Sequence, residues 1–391
     1  MMLSRRLHQS IQSLLQSNSA VVLVGPRQIG KTTLALAIMD SLNGVYRDLE
    51  HPRDADQVRD IMLFAEQYYA QLIILDEIQR LPDLFAPIRV IIDQRRRAGQ
   101  PYGQFLLLGS ASLDLLGQSS ESLAGRVAHA ELSGIDALEI EETDQTSTIL
   151  WLRGGFPDSL LSIDDKTSMQ WRGDLIRSYL ERDVPQFGFR IPAETLRRFW
   201  TMLAHHQGGL LNAAQLAANL GVSGQSISRY LDILVDLLLV RRLQPWFANV
   251  GKRLVKSPRV YIRDSGILHA LLDITTKEQL LYHPVVGASW EGFVIENLIN
   301  ASRSNQPYFY RTSAGAEVDL VLVRGGKPVA AIEVKRASAP KVKKGFHIAC
   351  NDLDIPHRYL VYPGEESYLL PGNVQVLPLL ELMHRLQGEE L

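Results

Sequence analysis

Cysteine is nearly absent from the 391-residue sequence: Cys350 stands alone. A single thiol can close no disulfide framework and no cysteine-based zinc cluster. Long apolar runs are missing too. Val21–Val24, Leu72–Leu75 and Phe105–Leu108 are among the longest, far short of the ~20 residues that span a bilayer. Charge is nearly balanced, with a net of -2, so the molecule as a whole announces no polyanion partner. The N-terminus places Leu3, Leu7, Ile11, Leu14 and Leu15 at helical spacing and lacks the apolar core and cleavage site of a signal peptide. The expected location is the cytoplasm, without a membrane partner. What is present, 46% hydrophobic and 21% charged residues, has the balance of a soluble globular protein. The length calls for two or three domains.

From about residue 20 to 130, short apolar stretches alternate with amphipathic ones. Val21–Val24, Val45–Leu49, Leu72–Leu75 and Phe105–Leu108 read as strands, with helices starting near Thr32, Arg53, Phe85 and Leu113. Such alternation predicts a mostly parallel sheet with helices on both faces. Residues 131–144 then hold Glu131, Asp136, Glu139, Glu141, Glu142 and Asp144 and no base, which marks a domain edge. No internal repeat or low-complexity tract is evident.

The segment Gly25, Pro26, Arg27, Gln28, Ile29, Gly30, Lys31, Thr32 fits G-x-x-x-x-G-K-[ST] throughout, between an apolar strand and a helix-forming stretch that begins with Thr33. Glycines let the backbone N–H groups turn inward onto phosphate oxygens. Lys31 supplies a point charge to the β- and γ-phosphates and Thr32 a hydroxyl to Mg²⁺. The helix start adds its positive dipole end. Leu72–Leu75 is followed by Asp76 and Glu77. Asp76 is placed to hold the water shell of Mg²⁺, and Glu77 to orient the attacking water. Phe105–Gly109 leads to Ser110, Ala111 and Ser112. A polar strand tip beside the phosphate loop can sense the γ-phosphate, and Ser110 is preferred over Ser112, although a helix N-cap would use the same residues. ATP and Mg²⁺ are thus the expected cofactors.

This order of motifs, with Ser122, Leu123, Ala124, Gly125 and Arg126 following, resembles the AAA+ superfamily. More closely, it is similar to prokaryotic AAA ATPases whose C-terminal half is a conserved region of uncharacterised role. The resemblance implies that Arg126 is an arginine finger acting on the nucleotide of a neighbouring subunit, hence a homo-oligomer. Gly154, Gly155, Phe156 and Pro157 resemble the Gly-x-Pro signature of the helical lid in related ATPases, where the proline packs on adenine. A simpler reading is a turn that opens a helix with proline at its first position.

Residues 209–247 carry a second pattern. Asn212 caps a short helix with Leu216 and Leu220, Gly221 turns the chain, and Ser223 caps a second helix with Ile227, Leu231 and Leu234 on one face. This spacing is that of a winged helix-turn-helix. Gln225, Ser226, Ser228 and Arg229 would face a DNA major groove, with Arg241 and Arg242 on the first strand of a wing. Between residues 195 and 259, nine bases, among them Arg197, Arg198, Lys252, Arg253, Lys256 and Arg259, oppose only Asp232 and Asp236. Clustered base of this kind is the footprint of phosphate binding.

A hairpin follows, with strands flanking Arg324–Lys327. Counting outward from the turn sets Asp319 within about one residue of Glu333, and period-two alternation puts Glu333 and Lys335 on one face. Two carboxylates in that position repel unless neutralised, and a divalent metal would do so, with Lys335 near an attacking water. The constellation resembles the PD-(D/E)xK nuclease core, with Val318 before Asp319 in place of proline. An acid from the preceding helix would complete it: Glu291 or Glu296, with Glu291 favoured.

The expected architecture is α/β: an AAA+ P-loop parallel sheet over residues 1–145, a helical lid over 146–200, a winged helix over 201–265 and a restriction-endonuclease-like α/β domain over 266–391. The expected activity is ATP hydrolysis coupled to remodelling of, or translocation along, DNA. An ATP-gated metal-dependent endonuclease with a second divalent metal, and an ATP-switched regulator or scaffold acting on a protein partner, remain as alternatives.

Overall fold

Six consecutive buried residues, Ala20–Gly25, form the strand β1. A strand apolar on both faces belongs in the middle of a parallel sheet covered on both sides. The structure, a computed structural model, describes residues 3–110, 123–141, 146–186, 191–247, 254–302 and 304–388. The chain divides into two compact units, Met1–Ile135 with Asp236–Leu238, and Asp136–Val235 with Leu239–Leu391. Among the described residues no helix is long and apolar enough to cross a membrane. Of the residues singled out above, Ala111, Ser112, Leu113, Ser122, Glu142, Asp144, Lys252 and Arg253 lie outside the described residues, as does the side chain of Ser110.

In the first unit, helix α1 (Leu7–Ser17) precedes β1 and α2 (Lys31–Leu42) follows it. Strands β2 (Val45–Asp48), β3 (Ile73–Asp76), β4 (Phe105–Ser110) and β5 (Val127–Glu131) join β1 in the order β2-β3-β4-β1-β5. Every pairing is parallel. Helix α3 (Phe85–Arg97) presses Phe85, Ile88, Ile91 and Ile92 into the core beneath β3 and β4. Each fully buried Ile or Leu there contributes roughly 1.5–3 kcal/mol. Because the strands run together, the ends of β1 and β3 that carry the phosphate loop and Asp76 open on the same side of the sheet.

The second unit begins with α4 (Ser147–Arg153), a one-turn helix at Pro157–Leu160, α5 (Asp165–Ser178) and α6 (Ala193–His205). Then α7 (Ala213–Leu220) and α8 (Gly224–Asp236) are joined through Gly221, whose φ of 72° is the left-handed cap that ends α7. A two-stranded antiparallel ribbon, β6 (Val240–Leu243) and β7 (Arg259–Ile262), comes next. Helices α9 (Ser265–Leu271) and α10 (Val286–Ala301) lead into a six-stranded mixed sheet. Its strands are β8 (Gln306–Arg311), β9 (Glu317–Arg324), β10 (Lys327–Val334), β11 (His357–Tyr362), β12 (Tyr368–Leu370) and β13 (Val374–Pro378), in the order β12-β13-β11-β10-β9-β8. The lone cysteine, Cys350, is buried in this unit's core beside Phe346 and Ala349.

Residues of the expected lid pack within this second unit. The Trp151 indole meets Trp290 edge to face at 5.3 Å and donates to Ser289 Oγ at 2.9 Å. His269 bonds the same hydroxyl at 2.7 Å and the Leu152 carbonyl at 2.9 Å. Burial drives its pKa down to about 3, so the ring is neutral and structural.

Candidate nucleotide site and acidic cluster

The phosphate loop needs two glycines for separate reasons. A side chain on Gly25 would stand 2.7 Å from the Leu132 carbonyl oxygen. Gly30 takes φ 96°, a conformation that L side chains rarely adopt, and starts α2 with no side-chain cap. The first N–H groups of α2 are thus left for an anion. Lys31 is 6% exposed and its ammonium donates to the Gly25 and Pro26 carbonyls, both at 2.9 Å. Burial lowers its pKa, while Glu77 and Asp76 act in the opposite direction.

Thr32 Oγ1 donates to Asp76 Oδ2 at 2.6 Å. The phenol of Tyr46, on β2, donates to the same oxygen at 2.8 Å. Glu77 follows in the left-handed region, φ 54°, a strained conformation for a residue with a side chain. Its carboxylate accepts from the Gln79 side-chain amide. Burial raises the Glu77 pKa, against the pull of Lys31. The hydroxyl, carboxylate and ammonium therefore converge where the loop closes, a donor set that fits a nucleotide triphosphate with Mg²⁺. Ser110 ends β4 level with Gly25.

Arg126 lies at the other end of β1. Its carbonyl accepts from the Ala20 N–H at 3.1 Å, whereas the phosphate loop follows Gly25. At ~3.3 Å per residue the two ends stand about 17 Å apart. Asp93, on α3, grips the guanidinium at both oxygens, at 2.7 and 3.0 Å.

In the second unit, Pro157 opens its one-turn helix at the first position. The preceding turn is clamped by Asp264, whose carboxylate accepts from Gly155 N–H at 2.7 Å and from Ile267 N–H at 2.8 Å. A side chain on Gly154 would fall 2.1 Å from that carboxylate.

On α8, Gln225, Ser228 and Arg229 are exposed and Ser226 is half-buried under the Ser223 cap, whose Oγ accepts from Ser226 N–H at 3.1 Å. Arg241 does not face outward. It pairs with the buried Glu296, with Nη2 donating to Oε2 at 2.9 Å, and Arg263 joins the same carboxylate at 3.2 Å. Arg242 pairs with Asp232.

Along the β9–β10 hairpin, Ile332 pairs with Leu320, so the next step of the ladder sets Glu333 opposite Asp319. Val334 N–H donates to Asp319 Oδ2 at 3.1 Å. Glu291, from α10, joins this pair, and Glu296 does not. The cluster holds a cation of its own. Arg259, 6% exposed, brings Nη1 to 3.2 Å from both Glu291 Oε1 and Asp319 Oδ1, and its Nη2 bonds Glu317. The Tyr261 phenol donates to Glu291 at 2.7 Å, and Lys335 pairs with Glu333. Burial and then the Asp319 charge push both Glu291 and Glu333 up to about 7. The second divalent metal expected from the sequence is not supported: among the described residues no group of three or more His, Cys, Asp or Glu could hold one. The physical reason is the guanidinium that neutralises the acids. Arg259 was counted in the basic cluster read as a phosphate-binding footprint, yet Arg259 and Tyr261 are two apart on β7 and share a face, which is the signal that pairs them. Tyr46, Asp93 and Asp264 had no such signal.

Three families match in succession: an AAA domain over residues 17–141, a domain of unknown function (DUF8612) over 146–278, and another (DUF4143) over 286–382. Two curated proteins, uncharacterized protein Mb2031c of Mycobacterium bovis and uncharacterized protein Rv2008c of Mycobacterium tuberculosis, are each 45% identical over 371 residues, 95% of this chain and 82% of theirs. A looser likeness links the chain to the Walker-type ATPase of Pyrococcus abyssi, at 14% identity and TM-score 0.49 over 69% of this chain and 96% of that one.

Proposed function

The chain belongs to the family of these mycobacterial proteins, with an AAA-type P-loop fold in its first unit, and from that premise we propose that it hydrolyses ATP and couples the hydrolysis to DNA remodelling or translocation. The observation that carries the hydrolytic reading is the meeting of Thr32 and Asp76 at 2.6 Å beneath the phosphate loop, with Glu77 one residue on. Lys31, released from its own loop carbonyls, binds the β- and γ-phosphates. Thr32 and Asp76 would hold Mg²⁺, which would supply charge neutralisation on the phosphates. Glu77 orients the attacking water. Ser110, at the tip of β4, is assigned to sensing the γ-phosphate, and Pro157 to the adenine.

Arg126 is assigned to the nucleotide of a neighbouring copy, which makes the active form a homo-oligomer. Its place at the far end of β1 from its own loop supports this reading. The α7–α8 pair with the β6–β7 ribbon is read as a winged helix. Gln225, Ser228 and Arg229 on its exposed face are assigned to DNA, while Arg241 is committed to Glu296. A nuclease reading has no comparable support, because Arg259 fills the centre of the acidic cluster.

Steady-state ATP turnover, measured with and without single-stranded, duplex and branched DNA, tests the proposal, with Glu77→Gln as the blank. One DNA form is expected to stimulate turnover several-fold. Turnover that no DNA form changes overturns DNA coupling and leaves an ATP-driven switch acting on a protein.

A further inference from the structure

The first unit has a pocket of about 450 Å³ at the end of the strands opposite the phosphate loop. Gln12 and Gln16 of α1, Tyr69 before β3, Arg95 of α3, and Tyr102 and Gln104 before β4 are among its walls. Two buried polar groups there lack what burial normally requires. Arg95 is 4% exposed, and its guanidinium lies 5.2 Å from the Tyr69 ring centroid and 5.9 Å from that of Phe105. Its Nη2 donates to the Ala65 carbonyl. Among the described residues no carboxylate pairs with it. Burial lowers its pKa, with the Tyr69 phenol the group acting the other way. Gln104, 3% exposed, donates its amide N–H to the Gln100 carbonyl at 2.8 Å, while its Oε1 is buried with no hydrogen-bond partner. A buried cation without a counter-ion and a buried acceptor without a donor each cost stability. Neither belongs in a plain structural core, and here they share one pocket.

We propose that this pocket binds a small carboxylate-bearing ligand, whose carboxylate pairs with Arg95 and whose donor group reaches Gln104 Oε1. The choice of anion follows from the guanidinium's surroundings. The Tyr69 and Phe105 ring centroids lie 5.2 and 5.9 Å from the guanidinium carbon and Nη2 bonds the Ala65 carbonyl, which leaves the other N–H groups for an anion. A flat carboxylate meets a guanidinium edge with two parallel hydrogen bonds. The pocket walls carry one cation and no acid, which balances one negative charge better than the two of a phosphate. The volume lies in the range of small-molecule sites. The site is separate from the nucleotide's: Gly103 and Gln104 N–H groups bond the Asn18 and Ser19 carbonyls, ahead of β1, while the phosphate loop follows its far end.

Equilibrium dialysis of the full chain against labelled L-glutamate, at ionic strength matched with chloride, tests this. Glutamate carries a carboxylate and an ammonium donor; succinate lacks the donor, and inorganic phosphate lacks the carboxylate. Glutamate is expected to bind saturably at millimolar concentration, more tightly than succinate, with phosphate the weakest. Arg95→Met should weaken binding about tenfold or more, as for loss of a charge-assisted bidentate contact, and Arg95→Lys less. Gln104→Leu should erase the advantage of glutamate over succinate. Without ligand, Arg95→Met and Gln104→Leu should melt no lower than the wild type, since one removes a buried charge without a counter-ion and the other a buried acceptor without a donor. Absence of saturable glutamate binding, binding that survives Arg95→Met, or phosphate binding as tight as glutamate would each overturn the proposal. So would an Arg95→Met variant that melts several degrees lower, because Arg95 would then be a structural filling between two rings.

Discussion

At the scale of single residues, the nucleotide site depends on one oxygen atom. Asp76 Oδ2 accepts from both Thr32 and Tyr46, so Tyr46 helps fix the orientation of the carboxylate that, on the proposed function, would face the Mg²⁺ water shell. Tyr46→Phe keeps the ring and removes the donor. It should raise the Mg²⁺ concentration needed for half-maximal ATP turnover several-fold and leave Mg²⁺-free nucleotide affinity unchanged; titration of turnover with Mg²⁺ would reveal it, and an unchanged midpoint would show the contact to be incidental. Tyr46 was invisible in the sequence because the partnership is made across the β2–β3 pairing, 30 residues apart. Lys31, Thr32, Asp76 and Glu77, whose side chains the structure brings together, could be singled out because phosphate chemistry restricts residue type and spacing at once.

At the scale of elements, the β9–β10 hairpin and the β7 strand make a cluster in which charge decides stability. The hairpin register was countable from its turn, and Glu291 and Glu296, five apart on one helix, do not share a face, so only one of them could join the pair. The occupant of the cluster was not countable, since Arg259 comes from a strand 58 residues ahead of Glu317. Glu291 and Glu333 have folded pKa values near 7, raised from 4.5. A carboxyl raised on folding binds its proton more tightly in the folded state. Its stabilisation is complete below the unfolded value and is lost as pH climbs through the folded one. The melting temperature should therefore fall between pH 5 and pH 8, and Glu333→Gln should flatten that fall, by roughly 2–4 °C per kcal/mol for a unit of this size. Thermal melts across the range check it, with parallel curves as the contrary result. The charges of the β6–β7 ribbon illustrate the same limit: a run of bases predicts a positive face only while no acid elsewhere in the chain claims them, and Glu296 claims Arg241.

At the scale of the whole molecule, the two compact units part between Ile135 and Asp136, inside the acid-only stretch that composition had marked. The finer divisions of the second unit were harder to read, because α4, α9 and α10 share one core through Trp151, His269 and Ser289. On the proposed assignment of Arg126, variants Arg126→Ala and Glu77→Gln should each be inactive alone. Mixed in equal amounts they should regain up to about a quarter of wild-type turnover, the share of random interfaces that pair an intact arginine with an intact glutamate. A mixture as silent as its parts would place Arg126 outside the reaction. The separation of Arg126 from its own loop along β1 then has a further consequence. A lone copy would be an incomplete catalyst, so specific activity would rise with protein concentration before reaching a plateau. Hydrolysis would thereby report how many copies have gathered in one place, and an enzyme spread thinly through a cell would leave its ATP unspent.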